Sequence, residues 1–176
     1  GIRLAPVVAR RLMARDQNLQ QAVRDAGSVV IRGTESGAVK LAPCCRPIPG
    51  DSIVGLIRKG HGLVVHTHDC STLSKLHGNK LEWIEVKWEA GITGMFEANI
   101  RVVVKNVRGV LARLAAGIAE AEANIVNVSM EEDGGDATTM FFTLQVTGRM
   151  HLARILRSLR RVPEVVRITR CIDSKH

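Results

Sequence analysis

The sequence predicts an α+β protein in two parts: a small, glycine-rich, mostly β module, followed by a β-α-β-β-α-β domain. Up to residue 90, short apolar runs are separated by glycines and other turn residues, a pattern typical of short strands. After residue 94, apolar residues alternate in four segments and recur at helical spacing in two others. The composition, with 45% hydrophobic and 24% charged residues, is that of an ordinary globular protein and excludes disorder throughout.

The domain predicted for residues 94–172 has the more regular pattern. Apolar residues recur three or four positions apart in residues 109–123 and 151–161, which predicts two amphipathic helices. Alternation of apolar and polar residues predicts four strands, at 96–104, 124–131, 138–146 and 164–170. Strands and helices in this order form the ferredoxin-like arrangement.

The module predicted for residues 28–90 is built from shorter elements. Its strands are expected at residues 28–33, 38–43, 51–60, 62–68 and 81–89. A short helix is expected at 70–78 and a linker at 90–94. Residues 1–27 have loosely helical spacing and are expected to end a preceding helical region. Because the chain has no initiator Met and begins within that pattern, we expect it to be a fragment of a longer protein.

The formal net charge is +8, and the excess is spread along the chain instead of forming one basic tail. It serves either solubility or a polyanionic partner such as RNA. With three Phe, two Trp and no Tyr, the chain has few rings for stacking, which argues against recognition of single-stranded nucleic acid by stacking. The sequence has neither a signal peptide nor a run of about 18 uncharged apolar residues, so we expect no membrane span and a cytoplasmic location.

Four residues with metal-binding side chains occur in one segment of the module: Cys44, Cys45, His66 and Cys70. Thiolate sulfur and imidazole nitrogen are the ligands that zinc prefers, in a tetrahedron. Because adjacent side chains tend to diverge, this set requires a kinked backbone, which the neighbouring prolines can supply. Four cysteines in 176 residues are not disulfide-dense, so the sequence favours a structural zinc site over disulfides.

Other interpretations of the same residues stay open. His61 and His68 compete with His66 as the fourth ligand, although His61 lies between two glycines and suits a turn. Asp69 is expected either to cap the short helix or to support a ligand histidine. Without a metal, the thiols are either small buried hydrophobic groups or a redox switch.

The run CCRPIPGDSIVGLIRKGHGLVVHTHDC closely resembles the conserved-cysteine or zinc-finger module of the long RelA/SpoT-family enzymes, which make and hydrolyse ppGpp in the stringent response. The unit that follows, with NVRGVLARLAAGIAEAEANIVNVSM, is similar to the ACT domain that ends those proteins. Together the two resemblances cover residues 28–171. The motifs Cys-Cys-x-Pro-x-Pro-Gly-Asp and Val-His-x3-Cys at this separation make the resemblance specific.

The resemblance implies a regulatory role without catalysis for this chain. A parent protein would carry GTP pyrophosphokinase or ppGpp 3′-pyrophosphohydrolase domains upstream, and Cys44, Cys45, His66 and Cys70 fall on the family's cysteine and histidine positions. In the family, the cysteine module contacts ribosomal RNA and the ACT domain helps to transmit the aminoacylation state of A-site tRNA. The partners implied are therefore ribosomal RNA, A-site tRNA and the upstream catalytic domains.

A second function that the resemblance implies is an ACT dimer that senses a branched-chain amino acid. The effector site would then include Asn106, Val107, Arg108, Gly109, Val110, Asn124 and Ile125. Many effector-binding ACT domains have Asp where this chain has Asn106, so a carboxylate that would hold an α-ammonium group is missing. We expect the seam of a homodimer along the first helix and strand 124–130.

The second helix of this domain is rich in arginine, with Arg154, Arg157, Arg160 and Arg161 opposite its apolar stripe. No acidic residue occurs between Arg149 and Arg161, whereas a solvated helix face usually carries both signs of charge. The four arginines are therefore expected either to contact RNA phosphates or to form a solvated or subunit-facing surface.

Overall fold

The computed structural model describes residues 29–33, 38–58, 60–76, 82–132 and 135–172. Contacts divide the chain into two compact units. The first takes in the described residues up to Pro43 together with Ser52–Ile92, and the second takes in Cys44–Asp51 and the described residues from Thr93 onward. The helical region predicted for residues 1–27 lies outside the described residues. Among the described helices, none is both long and apolar enough to cross a membrane.

The first unit is built on two small sheets. Its elements are β1 (Val29–Ile31), β2 (Val39–Leu41), β3 (Ile53–Arg58), β4 (Gly62–Thr67), α1 (Ser71–Ser74), β5 (Glu82–Ile84) and β6 (Val86–Trp88). One sheet has the strand order β2-β4-β3-β5, and β1 pairs with β6 in the other. β3 and β4 form an antiparallel pair, whereas β2–β4 and β1–β6 are parallel.

Apolar side chains contributed by both sheets form the core of the first unit. The buried cluster comprises Ile31, Ile53, Leu63, Val65 and Val86. At the start of β4, Gly62 has a φ of +74°, and a Cβ atom there would lie 2.3 Å from the carbonyl oxygen of Ala38. Since only glycine tolerates both conditions, Gly62 permits the close approach of β2 and β4.

The second unit contains a four-stranded antiparallel sheet and two helices. Its elements are β7 (Phe96–Lys105), α2 (Val110–Glu120), β8 (Asn124–Glu132), β9 (Ala137–Val146), α3 (Arg149–Leu159) and β10 (Val165–Cys171). The strand order is β10-β7-β9-β8, so the first and last strands of the domain are neighbours. This is the ferredoxin-like topology, and the predicted α+β class is confirmed.

One face of this sheet is buried by the two helices. Along β7, buried residues alternate with more accessible ones, and Ile100 is fully buried. Leu114 and Ile118 of α2, with Ile155 and Leu159 of α3, are also completely buried. The residues that recur at helical spacing are therefore the ones that pack in the core, as expected for amphipathic helices.

Three local features of the first unit differ from the sequence-based expectation. The single strand predicted at 81–89 forms β5 and β6, which separate at Glu85 and join different sheets. β1 and β2, predicted on either side of one turn, also lie in different sheets. The helix predicted at 70–78 is only one turn long in the described residues, and its N-cap is Cys70 without a side-chain hydrogen bond, so Asp69 does not cap it.

Glu122, two residues after the end of α2, has an unfavourable backbone angle, with a φ of +61°. A left-handed conformation costs a residue with a Cβ atom about 1–2 kcal/mol. The Glu122→Gly variant should therefore raise the free energy of unfolding by about 0.5–1 kcal/mol, after the greater flexibility of glycine in the unfolded chain is subtracted. Urea denaturation followed by circular dichroism measures the change.

The matched control for that variant is Gly109→Ala. Gly109 has a φ of +80° and no close neighbour that a Cβ atom would strike, so alanine should lower the free energy of unfolding by a similar amount through backbone strain alone. A loss of stability in Glu122→Gly would show instead that the Glu122 side chain contributes more than its backbone strain costs.

Candidate functional site

The two adjacent cysteines come together with His66 and Cys70. The Sγ atoms of the three cysteines and a ring nitrogen of His66 all lie within 4.8 Å of one another. Cys45, His66 and Cys70 are buried, and Cys44 is half-buried. The fold therefore assembles one compact group from the four residues that the sequence predicts as zinc ligands.

A kink in the backbone accompanies the vicinal pair. Cys44 and Cys45 lie in a turn, and the next residue, Arg46, has a φ of +42°. This left-handed residue is uncommon outside glycine and reverses the direction of the chain directly after the pair. The structure thus places an Arg, in addition to the neighbouring prolines, at the bend that two adjacent ligands require.

The other two residues of the group are held by a strand and the turn after it. His66 is the next-to-last residue of β4, in the centre of its sheet. The Cys70 N–H donates to the Thr67 carbonyl at 3.1 Å, which closes the tight turn between β4 and α1. This turn brings the Cys70 thiol back toward the His66 ring.

Burial favours the neutral form of the His66 imidazole. It lowers the pKa of His66 below the ordinary 6.5, and the positive charge of Arg58 lowers it further. A neutral ring has a nitrogen lone pair for a metal ion, whereas an imidazolium ring does not. The environment of His66 is therefore suited to coordination near neutral pH.

The donor set fits a tetrahedral zinc ion. Ligand atoms bound to zinc at 2.0–2.3 Å lie about 3.3–3.8 Å apart, so the group needs to contract by about 1 Å around a metal. Three thiolates and one imidazole would fill all four positions, as in structural zinc sites. The competing candidates His61 and His68 are exposed and lie outside the group.

A groove lies beside the turn that follows β7. It is lined by Lys105, Asn106, Val107, Gly135 and Asp136. The Asn106 N–H donates to the backbone carbonyl of Asp136 at 2.8 Å. Asp136, which was not among the predicted effector-site residues, brings to this groove a carboxylate that Asn106 lacks. The signal available was its place in the turn before β9, the strand that pairs with β7.

The remaining residues predicted for an effector site have other positions. Arg108 is exposed, Gly109 is the left-handed N-cap of α2, and Val110 is buried in the core. Asn124 and Ile125 pair with the last residues of β9, whereas the groove lies at the first residues of that strand. At about 3.3 Å per residue, the two ends are about 26 Å apart. Within one copy of the chain, Asn124 and Ile125 therefore do not reach the groove.

The arginines predicted to contact RNA are all exposed: Arg154, Arg157, Arg160 and Arg161. Two of them share grooves with carboxylates of the other helix. Arg154 lines a groove with Glu120 and Glu122, and Arg161 lines a second groove with Glu120. Arg157 and Arg160 line neither groove and therefore do not share these two grooves with Glu120 or Glu122.

The edge strand β8 exposes apolar side chains. Val126, Val128 and Met130 are 46%, 40% and 56% exposed, and β8 has a neighbouring strand on one side only. Leu111, at the start of α2, is also exposed. An exposed apolar edge is suited to pairing with another strand. These residues lie on the helix and strand that the sequence predicts as a seam between copies.

Two family models match the chain in sequence. Residues 29–89 match the model described as the RelA/SpoT RIS domain. Residues 93–170 match the model described as the ACT domain. The first match contains the four clustered cysteine and histidine residues, and the second contains the complete antiparallel sheet except its last residue.

Known proteins of two kinds are similar to nearly the whole chain. The bifunctional (p)ppGpp synthase/hydrolase SpoT of Escherichia coli is 33% identical over 97% of this chain and 24% of that protein. The GTP pyrophosphokinase of Escherichia coli is 30% identical over 89% of this chain and 21% of that protein. The chain thus spans about a quarter of the length of these relatives. The crystal structure of the ACT domain from GTP pyrophosphokinase of Chlorobium tepidum is 23% identical, covers 44% of this chain and 99% of that domain, and has a TM-score of 0.39.

The lowered pKa of His66 predicts how the stability of the metal-free protein depends on pH. Below about pH 6.5 the unfolded chain takes up a proton at this residue while the folded chain does not, so the free energy of unfolding falls as the pH is lowered. Urea denaturation in a chelator at several pH values between 7.5 and 5 measures this fall.

The His66→Gln variant should flatten that pH dependence, because glutamine does not titrate. His68→Gln, which replaces an exposed histidine, is the control and should keep the dependence of the parent. An unchanged slope in His66→Gln would contradict the assignment of the pH effect to His66.

Proposed function

Because the chain carries a RelA/SpoT RIS domain followed by an ACT domain, we propose that it is the regulatory region of an enzyme that synthesises or hydrolyses ppGpp. The observation that carries this proposal is the similarity of 97% of the chain to a bifunctional (p)ppGpp synthase/hydrolase, of which the chain spans only 24%. The chemistry of ppGpp then belongs to upstream domains of the same cytoplasmic protein. This region binds the ribosome and its A-site tRNA and relays amino-acid starvation to those domains.

The metal of this region is zinc with a structural role. Its support is the donor set: thiolates and a neutral imidazole are ligands that zinc prefers over hard oxygen-binding cations. The Cys45, His66 and Cys70 side chains are buried, so the bound ion would have no open position for a water molecule or substrate. Zinc bound by these four side chains is structural and supplies no catalysis.

If the four residues bind zinc, the protein should contain zinc and a substitution of one ligand should remove it. Protein produced with zinc should contain about one zinc ion per chain by elemental analysis, and Cys45→Ser should lose it because one of four ligands is removed. Cys171→Ser is the matched control. Cys171 lies on β10 outside the group, and burial raises the pKa of its thiol, with Arg101 partly opposing that rise. Zinc-free parent protein whose stability is insensitive to chelator would refute the site and favour a redox role for the thiols.

The RNA-binding surface is the arginine-rich side of α3. Support comes from its exposure and from the amphipathic pattern, which fixes Ile155 and Leu159 in the core and so directs the arginines to solvent. Guanidinium groups bind phosphate oxygens in a bidentate manner and release condensed counterions from the nucleic acid. Arg157 and Arg160 are exposed and line neither groove with Glu120 or Glu122, so we take them as the first arginines to test.

The double variant Arg157→Gln/Arg160→Gln should therefore weaken binding to ribosomes loaded with A-site tRNA. Each phosphate contact that is lost should lower the slope of log affinity against log salt by about one unit, so the slope should fall by about two units. Cosedimentation across a series of salt concentrations measures both quantities. Arg154→Gln is the matched control, because Arg154 lines a groove with Glu120 and Glu122. It should change the affinity and the salt slope less. Equal affinity and slope in the parent and the double variant would show that these arginines are only solvated.

A second candidate function, binding of a branched-chain amino acid, is favoured by the groove at Asn106. The carboxylate of Asp136 is suited to an α-ammonium group, and Lys105 to an α-carboxylate. Calorimetric titration of the same protein with valine, leucine and isoleucine separates the two functions. Binding of a free amino acid that Asp136→Asn abolishes, together with ribosome binding that is weak and insensitive to the arginines, would favour the sensor. Light scattering of these samples tests self-association along β8, which a monomer at high concentration would exclude.

A further inference from the structure

We call the eight-residue segment Cys44–Asp51 the cysteine loop. By sequence it belongs to the RIS match, but it packs with the second unit. It falls within the RIS match at residues 29–89. Its contacts nevertheless place it in the second unit, with the sheet and helices of the ACT domain. Ile48 in the middle of the loop is fully buried. The cysteine loop is therefore a packed part of the second unit.

One ion pair holds the end of the cysteine loop. The two terminal nitrogens of Arg170, on β10, each donate to one carboxylate oxygen of Asp51 at 2.7 Å. The side chains of Arg170 and Asp51 are only 16% and 7% exposed. Two parallel charge-assisted hydrogen bonds of this kind fix orientation as well as distance. Asp51, the last residue of the Cys-Cys-x-Pro-x-Pro-Gly-Asp motif, is thereby bound to the last strand of the domain.

The same two side chains also hold the backbone of the loop closer to the cysteines. Arg170 Nη2 donates to the carbonyl oxygen of Arg46 at 3.2 Å, and Asp51 Oδ2 accepts the Ile48 N–H at 2.9 Å. Arg46 is the left-handed residue directly after Cys45, and its own side chain forms an ion pair with Glu97 of β7. The bend after the vicinal thiols is thus fixed at three points: the Arg46 carbonyl, the Arg46 side chain and the N–H of Ile48, two residues later.

We propose that Arg170 is a positioning residue for the Cys44–Cys45 pair. Through Asp51 and the Arg46 carbonyl, it holds the cysteine loop in the bent form before a metal ion arrives. Pre-ordering of this kind raises metal affinity because less conformational entropy is lost on binding. The inference rests on the proposed zinc site and adds that part of its affinity originates in the last strand of the ACT domain.

The experiment measures the metal affinity of the folded full chain in three test variants and one control variant. Co²⁺ is the probe, since cobalt–thiolate charge-transfer bands report coordination by cysteine, and competition with Zn²⁺ then gives the zinc affinity. Arg170→Gln and Asp51→Asn should each weaken binding by about tenfold, the lower end for loss of a group that orients ligands. Arg170→Lys keeps the positive charge but loses the two parallel N–H donors of the guanidinium group, so it should have an intermediate affinity. Arg167→Gln, an exposed arginine of the same strand, is the matched control and should bind as the parent does.

A second measurement separates positioning from a general structural role. The unfolding midpoint of each metal-free variant shows how much stability the ion pair supplies, and affinity is compared only for chains that are folded before metal is added. If Arg170→Gln does not fold, Arg170→Lys and Asp51→Asn decide the question. Lower stability with unchanged metal affinity in these variants would overturn the proposal while the zinc site stands. Absence of thiolate bands in the parent chain would overturn the zinc site itself.

Discussion

The ion pair between Asp51 and Arg170 joins residues that are 119 positions apart, and the geometry of the cysteine loop depends on it. Both side chains are largely removed from water, so each charge is costly to leave without its partner. Removing one member of such a pair typically costs about 3–5 kcal/mol, although the complete pair adds little over an apolar replacement. The two parallel hydrogen bonds of the pair set the orientation of the end of this proline-rich loop on β10.

Two glycines, Gly50 in the cysteine loop and Gly148 before α3, allow the loop to pack against the start of α3. A Cβ atom at Gly148 would lie 2.9 Å from the Pro49 carbonyl oxygen, and one at Gly50 would lie 3.0 Å from the Arg149 Cβ atom. Because neither glycine has a side chain, the Pro49 carbonyl comes close enough to accept the Arg149 N–H at 2.8 Å. This hydrogen bond satisfies one of the donors that every helix leaves open at its first turn. The start of α3 is thus capped by the cysteine loop.

Periodicity in the sequence predicted the second unit well, because each helix and strand there is long enough to show its repeat. Buried residues alternate along all ten residues of β7 and from Met140 to Val146 of β9, and α2 and α3 bury the stripes that the spacing indicated. In the first unit, strands of three residues are too short for a period to identify their partners. The parallel pairing of β1 with β6, and the break at Glu85, depend on contacts between distant segments.

The four clustered residues were predicted from their chemistry and spacing, whereas the means of positioning them were not. A carboxylate seven residues after Cys44 and an arginine near the end of the chain carry no local signal of their pairing. Yet the cysteine loop that this pairing holds contacts both the proposed metal site and the helix proposed to bind RNA. The loop that presents Cys44 and Cys45 also caps α3, the helix whose exposed side carries Arg154 and Arg157. Cys44 and Cys45, which we propose as metal ligands, and the arginines that we propose to contact RNA therefore belong to one packed unit. Because packed elements shift together, we expect a change in the cysteine loop to reach the first turn of α3.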